Sequence, residues 1–96
     1  MPHAQALVLT DDPATPAARL AQRLSPQFET EWSAEAGYVR LEEGLCLLHS
    51  WPEGLRLDAW ADTGERLARI ESLIARELAS EGGLRVDWRR RPLSER

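Results

Sequence analysis

Apolar and polar positions alternate along most of this chain, and twice the alternation gives way to a three-and-four spacing. Residues 4–10 form a short apolar run that stops at Thr10, Asp11, Asp12 and Pro13, a strand running into a turn. Ala17, Leu20, Ala21 and Leu24 then recur at helical spacing. Thr15 and Pro16 precede them, a capping hydroxyl followed by a proline at the first helical position. Ser25 and Pro26 stop that helix, because proline pushes the residue before it out of helical geometry. Phe28, Thr30 and Trp32 alternate with Glu29 and Glu31, and residues 33–37 make a turn. Residues 38–42 alternate again, with Val39 and Leu41 on one face and Tyr38, Arg40 and Glu42 on the other. Glu43 and Gly44 turn into a third run over residues 45–51. Pro52, Glu53 and Gly54 turn into a fourth, where Leu55, Leu57 and Ala59 alternate with Arg56, Asp58 and Trp60. Four strands joined by such short turns predict an antiparallel meander.

Asp62 and Glu65 stand three apart, the spacing of a capping box. Leu67, Ile70, Leu73, Ile74 and Leu78 follow as a stripe, which predicts a helix over residues 63–80 that Gly82 and Gly83 end. Leu84, Val86 and Trp88 alternate with Arg85, Asp87 and Arg89 as a closing strand, before a polar tail over residues 92–96. The order β-α-β-β-β-β-α-β predicts an α+β fold. Both helices should pack on one face of an antiparallel sheet, because each shows a single apolar stripe. One domain takes in residues 1–96, with an ordered core over 4–91.

Composition narrows the function classes. At 96 residues and 43% hydrophobic, the chain can build one core but not two. No apolar run approaches the roughly 18–20 residues that span a bilayer, and Met1, Pro2 and His3 open no secretory leader, so no membrane role is expected. Cys46 is the single cysteine; it cannot close an internal disulfide, and a reducing cytoplasm is the expected compartment. Twelve basic against sixteen acidic residues leave a net charge of −4, which argues against nucleic acid as the main partner. The local cluster of Arg89, Arg90 and Arg91 is too small to reverse that and reads as a solvated strand end. All twelve basic residues are arginine, so lysine-based chemistry is absent. No glycine-rich nucleotide loop, nucleophile elbow or HExxH sequence occurs.

Three stretches resemble a known family: Thr15 to Arg19 (TPAAR), the Gly44, Leu45, Cys46 triplet before a strand, and Leu84 to Arg89 (LRVDWR). They are similar to the small bacterial domain-of-unknown-function family 2218, with likeness over residues 4–91. The resemblance implies a compact α+β domain of TATA-binding-protein-like or phosphohexomutase C-terminal-like arrangement. It implies no established activity, and sets the chain in an accessory iron or siderophore context. Members often carry Cys and His late in the first helix and His late in the second. Here residues 22–27 and 75–78 hold neither, which departs from any metal or heme role drawn from those positions.

Few side chains are placed to do chemistry, and no catalytic residue is assigned. Cys46 reads as a small core thiol, since His49, three positions on along a strand, points to the other face. His3, taken as part of a frayed terminus, Cys46 and His49 lack the paired spacing of a metal site, so neither metal nor cofactor is expected. His49 shares a face with Leu45, Leu47 and Trp51, read as the helix-facing side. Glu77 falls inside the apolar stripe of the second helix, where an unpaired carboxylate is costly. It either meets a cation such as His49 or Arg85, as a buried tie or in a small polar pocket, or escapes past the sheet edge. Glu65 and Arg69 should form an i,i+4 surface pair. Trp60 falls opposite the helices, beside Leu48 or Tyr38. There it lies on arginine stems, forms a self-association surface, or binds a ligand or partner protein. The chain therefore reads as a non-catalytic domain that binds a second copy or a protein partner through the sheet face around Trp60 and Tyr38. The competing reading is a ligand-binding protein or enzyme with a pocket between sheet and helices near His49 and Glu77.

Overall fold

Strand periodicity becomes a sheet when each segment finds a partner for its backbone groups, and here every expected segment finds one, although the strand expected over residues 38–42 forms two residues earlier, over Ala36–Arg40, and the last pairs only at its end. The computed structural model describes residues 1–91. Its elements run β1 (His3–Leu9), α1 (Ala14–Leu24), β2 (Glu29–Ser33), β3 (Ala36–Arg40), β4 (Gly44–Trp51), β5 (Gly54–Ala61), α2 (Gly64–Ala79) and β6 (Arg89–Arg91). The six strands form one sheet in the order β2-β3-β4-β5-β1-β6, antiparallel throughout. The meander β2 to β5 is thus extended at its β5 edge by the two terminal strands. Both helices cover one face, α1 over β2 and β3, α2 over β5. The polar tail expected over residues 92–96 lies outside the described residues.

Register decides which side chains go inward. Leu48 pairs with Leu57, Cys46 with Ala59, and Ala59 with Ala4, so these point together toward the helices. Beneath α1 and α2 they join Leu20, Leu67, Ile70, Ile74 and Leu78, all essentially inaccessible to water. That interior is wholly apolar: no polar or charged residue among those described is buried.

Local details depart from expectation in instructive ways. Helix α1 begins one residue before Thr15, behind Pro13, and the carboxylate of Asp12 accepts the Thr15 backbone N–H at 3.4 Å. At α2 the cap is Thr63, whose hydroxyl accepts from the Arg66 backbone N–H at 3.1 Å. Asp62 is left free to pair with Arg66 one turn on (3.4 Å), and Glu65 and Arg69 make no ion pair. Gly82 and Gly83 do end α2, both with left-handed φ (79° and 77°), and the Gly83 N–H returns to the Ala79 carbonyl. The closing strand is shorter than expected. Residues 84–88 lie outside any strand, and the ladder with β1 starts only at Arg89. Their alternation serves packing instead: Leu84, Val86 and Trp88 lie against the core, and the Trp88 indole donates to the Glu71 carbonyl of α2 at 3.0 Å.

Candidate functional site

The face without helices holds the only dense grouping of aromatic, charged and exposed apolar side chains among the described residues. Three rows cross it, set by strand register. One carries Glu29, Arg40, Leu45, Trp60 and His3; the next carries Glu31, Tyr38, Leu47, Asp58, Gln5 and Arg89; the third carries Ala36, His49, Arg56 and Leu7.

Asp58 is the centre. One of its carboxylate oxygens is 2.8 Å from the Gln5 amide and 3.2 Å from His3 Nε2, and the other is 3.2 Å from Arg56 Nε. Its side chain is 17% exposed, so the acceptors are largely used up by protein donors. The His3 ring lies flat on Trp60, centroids 4.5 Å apart and planes within 3°. The Arg56 guanidinium stacks over the Trp51 ring at 4.9 Å, and the Trp51 indole donates to His49 Nδ1. Near the β2 edge, Tyr38 donates its hydroxyl to Glu29 at 2.9 Å. That hydrogen bond, with burial and the neighbouring carboxylates adding to it, holds the phenol above its ordinary pKa.

Leu7, Leu9 and Leu47 stand between these polar ties, 41%, 73% and 38% exposed; Met1 is the only other large apolar side chain so exposed among the described residues. Leu7, Leu9, Trp51, Arg56 and Arg89 help line an open cleft of about 620 Å³ along β1. Glu31 and Arg89, at opposite ends of one row, make no ion pair with any described residue.

The residues singled out in the sequence fall into two groups. Trp60, Tyr38 and His49 come to this open face. Trp60 is there as expected, but its row neighbours are Leu45 and His3, not Leu48 or Tyr38. His49 corrects its expected side. Because Leu48 pairs with Leu57, Leu45, Leu47 and His49 take the face away from the helices. His3 is held in β1 by Trp60 and Asp58, not frayed. Glu77 and Arg85 belong elsewhere. Glu77 pairs with Arg23 of α1 at 3.1 Å, and Arg23 also reaches Glu81 at 2.6 Å, so the partner is a helix neighbour and neither His49 nor Arg85. Arg85 is exposed and lies 3.9 Å from Asp87. His49 and Glu77 therefore sit on opposite sides of the sheet. Asp58, Arg56, Gln5, Leu7 and Trp51 belong to the site but were not singled out. Four of them carry a signal of parity: Asp58 and Arg56 share the outer phase of β5 with Trp60, and Gln5 and Leu7 that of β1 with His3, whereas Trp51 shares the phase of His49 on β4, whose expected side is the helix-facing one.

Cys46 lies fully buried beneath the helices, where burial pushes its thiol up to about 12. No group of three His, Cys, Asp or Glu side chains among the described residues is arranged to hold a metal ion. No helix among them is long and apolar enough to cross a membrane.

Such a molecule is an α+β protein with two helices on one face of a six-stranded antiparallel sheet and an aromatic, partly apolar opposite face. The chain belongs to a bacterial family of uncharacterized conserved proteins, domain-of-unknown-function family 2218, whose model matches residues 5–89. Its structure is similar to the NMR structure of PA4090 from Pseudomonas aeruginosa, with a TM-score of 0.78 at 22% identity, covering 93% of this chain and 96% of that one. No curated protein matches the chain.

Proposed function

We propose that this is a non-catalytic, cytoplasmic domain that works by self-association, two copies meeting through the open faces of their sheets. One observation carries the reading: apart from Met1, every highly exposed large apolar side chain described lies on this face. The central polar groups among them are already satisfied internally, with Asp58 held by three donors and Trp51 by His49. Covering the face therefore removes apolar surface from water without stranding its central charge. The molecule measures 36 × 29 Å in its two longer dimensions, ample for the roughly 800 Å² each partner contributes to a standard interface. An accessory place in iron or siderophore handling, which the family resemblance implies, would be exercised by this assembly and not at a metal site of the chain itself. Cys46 lies under the helices, while His3 and His49 are engaged with tryptophans.

Sedimentation equilibrium over a range of protein concentrations tests it. The expected result is a reversible dimer at tens of micromolar. A species that stays monomeric into the millimolar range would contradict the proposal.

A further inference from the structure

Resting on that reading, the charges at the two ends of the sheet select one mutual orientation. Glu29 and Glu31 stand on the open face of edge strand β2, and Arg89 stands on the same face of edge strand β6. Glu31 and Arg89 occupy one row, about five strand spacings or ~24 Å apart, and neither makes an ion pair among the described residues.

Two identical sheets that meet face to face with their strands aligned can do so about a twofold axis in either of two directions. An axis across the strands lays each strand over its own copy and inverts height, so when it runs along this row Glu31 faces the partner's Glu31 and Arg89 the partner's Arg89. An axis parallel to the strands, passing between β4 and β5, reverses the strand order and leaves height along the strands unchanged. Each row then meets its own reversed copy. The acidic β2 edge covers the basic β6 edge twice by symmetry, and Leu45 covers the partner's Trp60 at the centre. Like charges in register oppose the first arrangement and opposite charges favour the second. We infer that the protein pairs with a second copy about a twofold axis parallel to its strands, with Glu31 of each chain opposite Arg89 of the other.

Charge reversal tests the orientation separately from association itself. Glu31→Arg, Arg89→Glu and the double variant are compared with the parent by sedimentation velocity at low ionic strength. Circular dichroism confirms that each is folded. Each single reversal should weaken the dimer by about tenfold, since two symmetric rim pairs turn from attraction to repulsion, and the double variant should return to within about threefold of the parent. If the parent dimerises but the single reversals leave it unchanged, or the double variant does not recover, the orientation is overturned while self-association stands. If the parent is monomeric, both are overturned.

Discussion

Asp58 and Cys46 sit on adjacent central strands and show how far one side chain's behaviour depends on which face it takes. Asp58 faces outward and is tied by His3, Gln5 and Arg56. Cys46 faces inward, and its thiol is held neutral by burial. The linkage has a definite sign. A thiol whose folded pKa is raised contributes stability that is complete below pH 9.0, its unfolded value, and is lost as pH climbs toward about 12. Urea unfolding of the parent and of Cys46→Ala at pH 8 to 10.5 should show the parent losing up to about 1.4 kcal/mol more per pH unit above pH 9. Parallel pH profiles would show that the thiol ionises freely in the folded state. Legibility at this scale tracks parity. On β5 the alternation is clean, and Arg56, Asp58 and Trp60 could be placed together from the sequence alone. On β4 leucine occupies both phases, at 45, 47 and 48, so the side of His49 rests on a pairing with Leu57 that no local pattern contains. The anchoring of His3 likewise depends on Asp58, fifty-five positions away.

The elements themselves were the most readable level, because helix stripes and strand alternation are local properties. Helix α2 occupies 64–79 against an expected 63–80, and the four-strand meander forms, with its second strand at 36–40 against an expected 38–42. The failures are at ends and junctions, where long-range contacts choose between local options. Thr63 caps in place of Asp62, and residues 84–88 pack by side chain where a ladder was expected. Glu77 stands out as anomalous in its stripe, yet its partner comes from the other helix, a contact invisible until α1 and α2 share a face. Arg23 ties that junction, bonding the Glu77 carboxylate and carbonyl and the Glu81 carboxylate, whose side chain is only 9% exposed. Arg23→Ala should therefore destabilise the protein by about 1–2 kcal/mol, because it strips the main partner from a nearly buried charge. Arg69→Ala, at an exposed site without an ion pair among the described residues, should stay within about 0.5 kcal/mol. Equal urea midpoints for the two variants would remove the inter-helix tie from the account.

For the whole molecule, the decisive asymmetry is between the two faces of one sheet. The inner face is sealed by helices and carries no buried charge; the outer face keeps tryptophans, leucines and a satisfied carboxylate in contact with water. A sheet so arranged is stable alone as a two-layer α+β unit, yet it has an apolar surface that a third layer would cover. Family membership and the shared fold with a Pseudomonas aeruginosa protein establish the scaffold, while the outer face supplies the proposed activity. The most direct test places the same new charge on each side of the molecule. Leu47→Glu alters the centre of the open face, and Ala68→Glu alters the exposed side of α2. Light scattering at tens of micromolar should give twice the chain mass for the parent and for Ala68→Glu, and the single chain mass for Leu47→Glu. A Leu47→Glu variant that is folded and still dimeric would contradict the assignment of the open face as the interface.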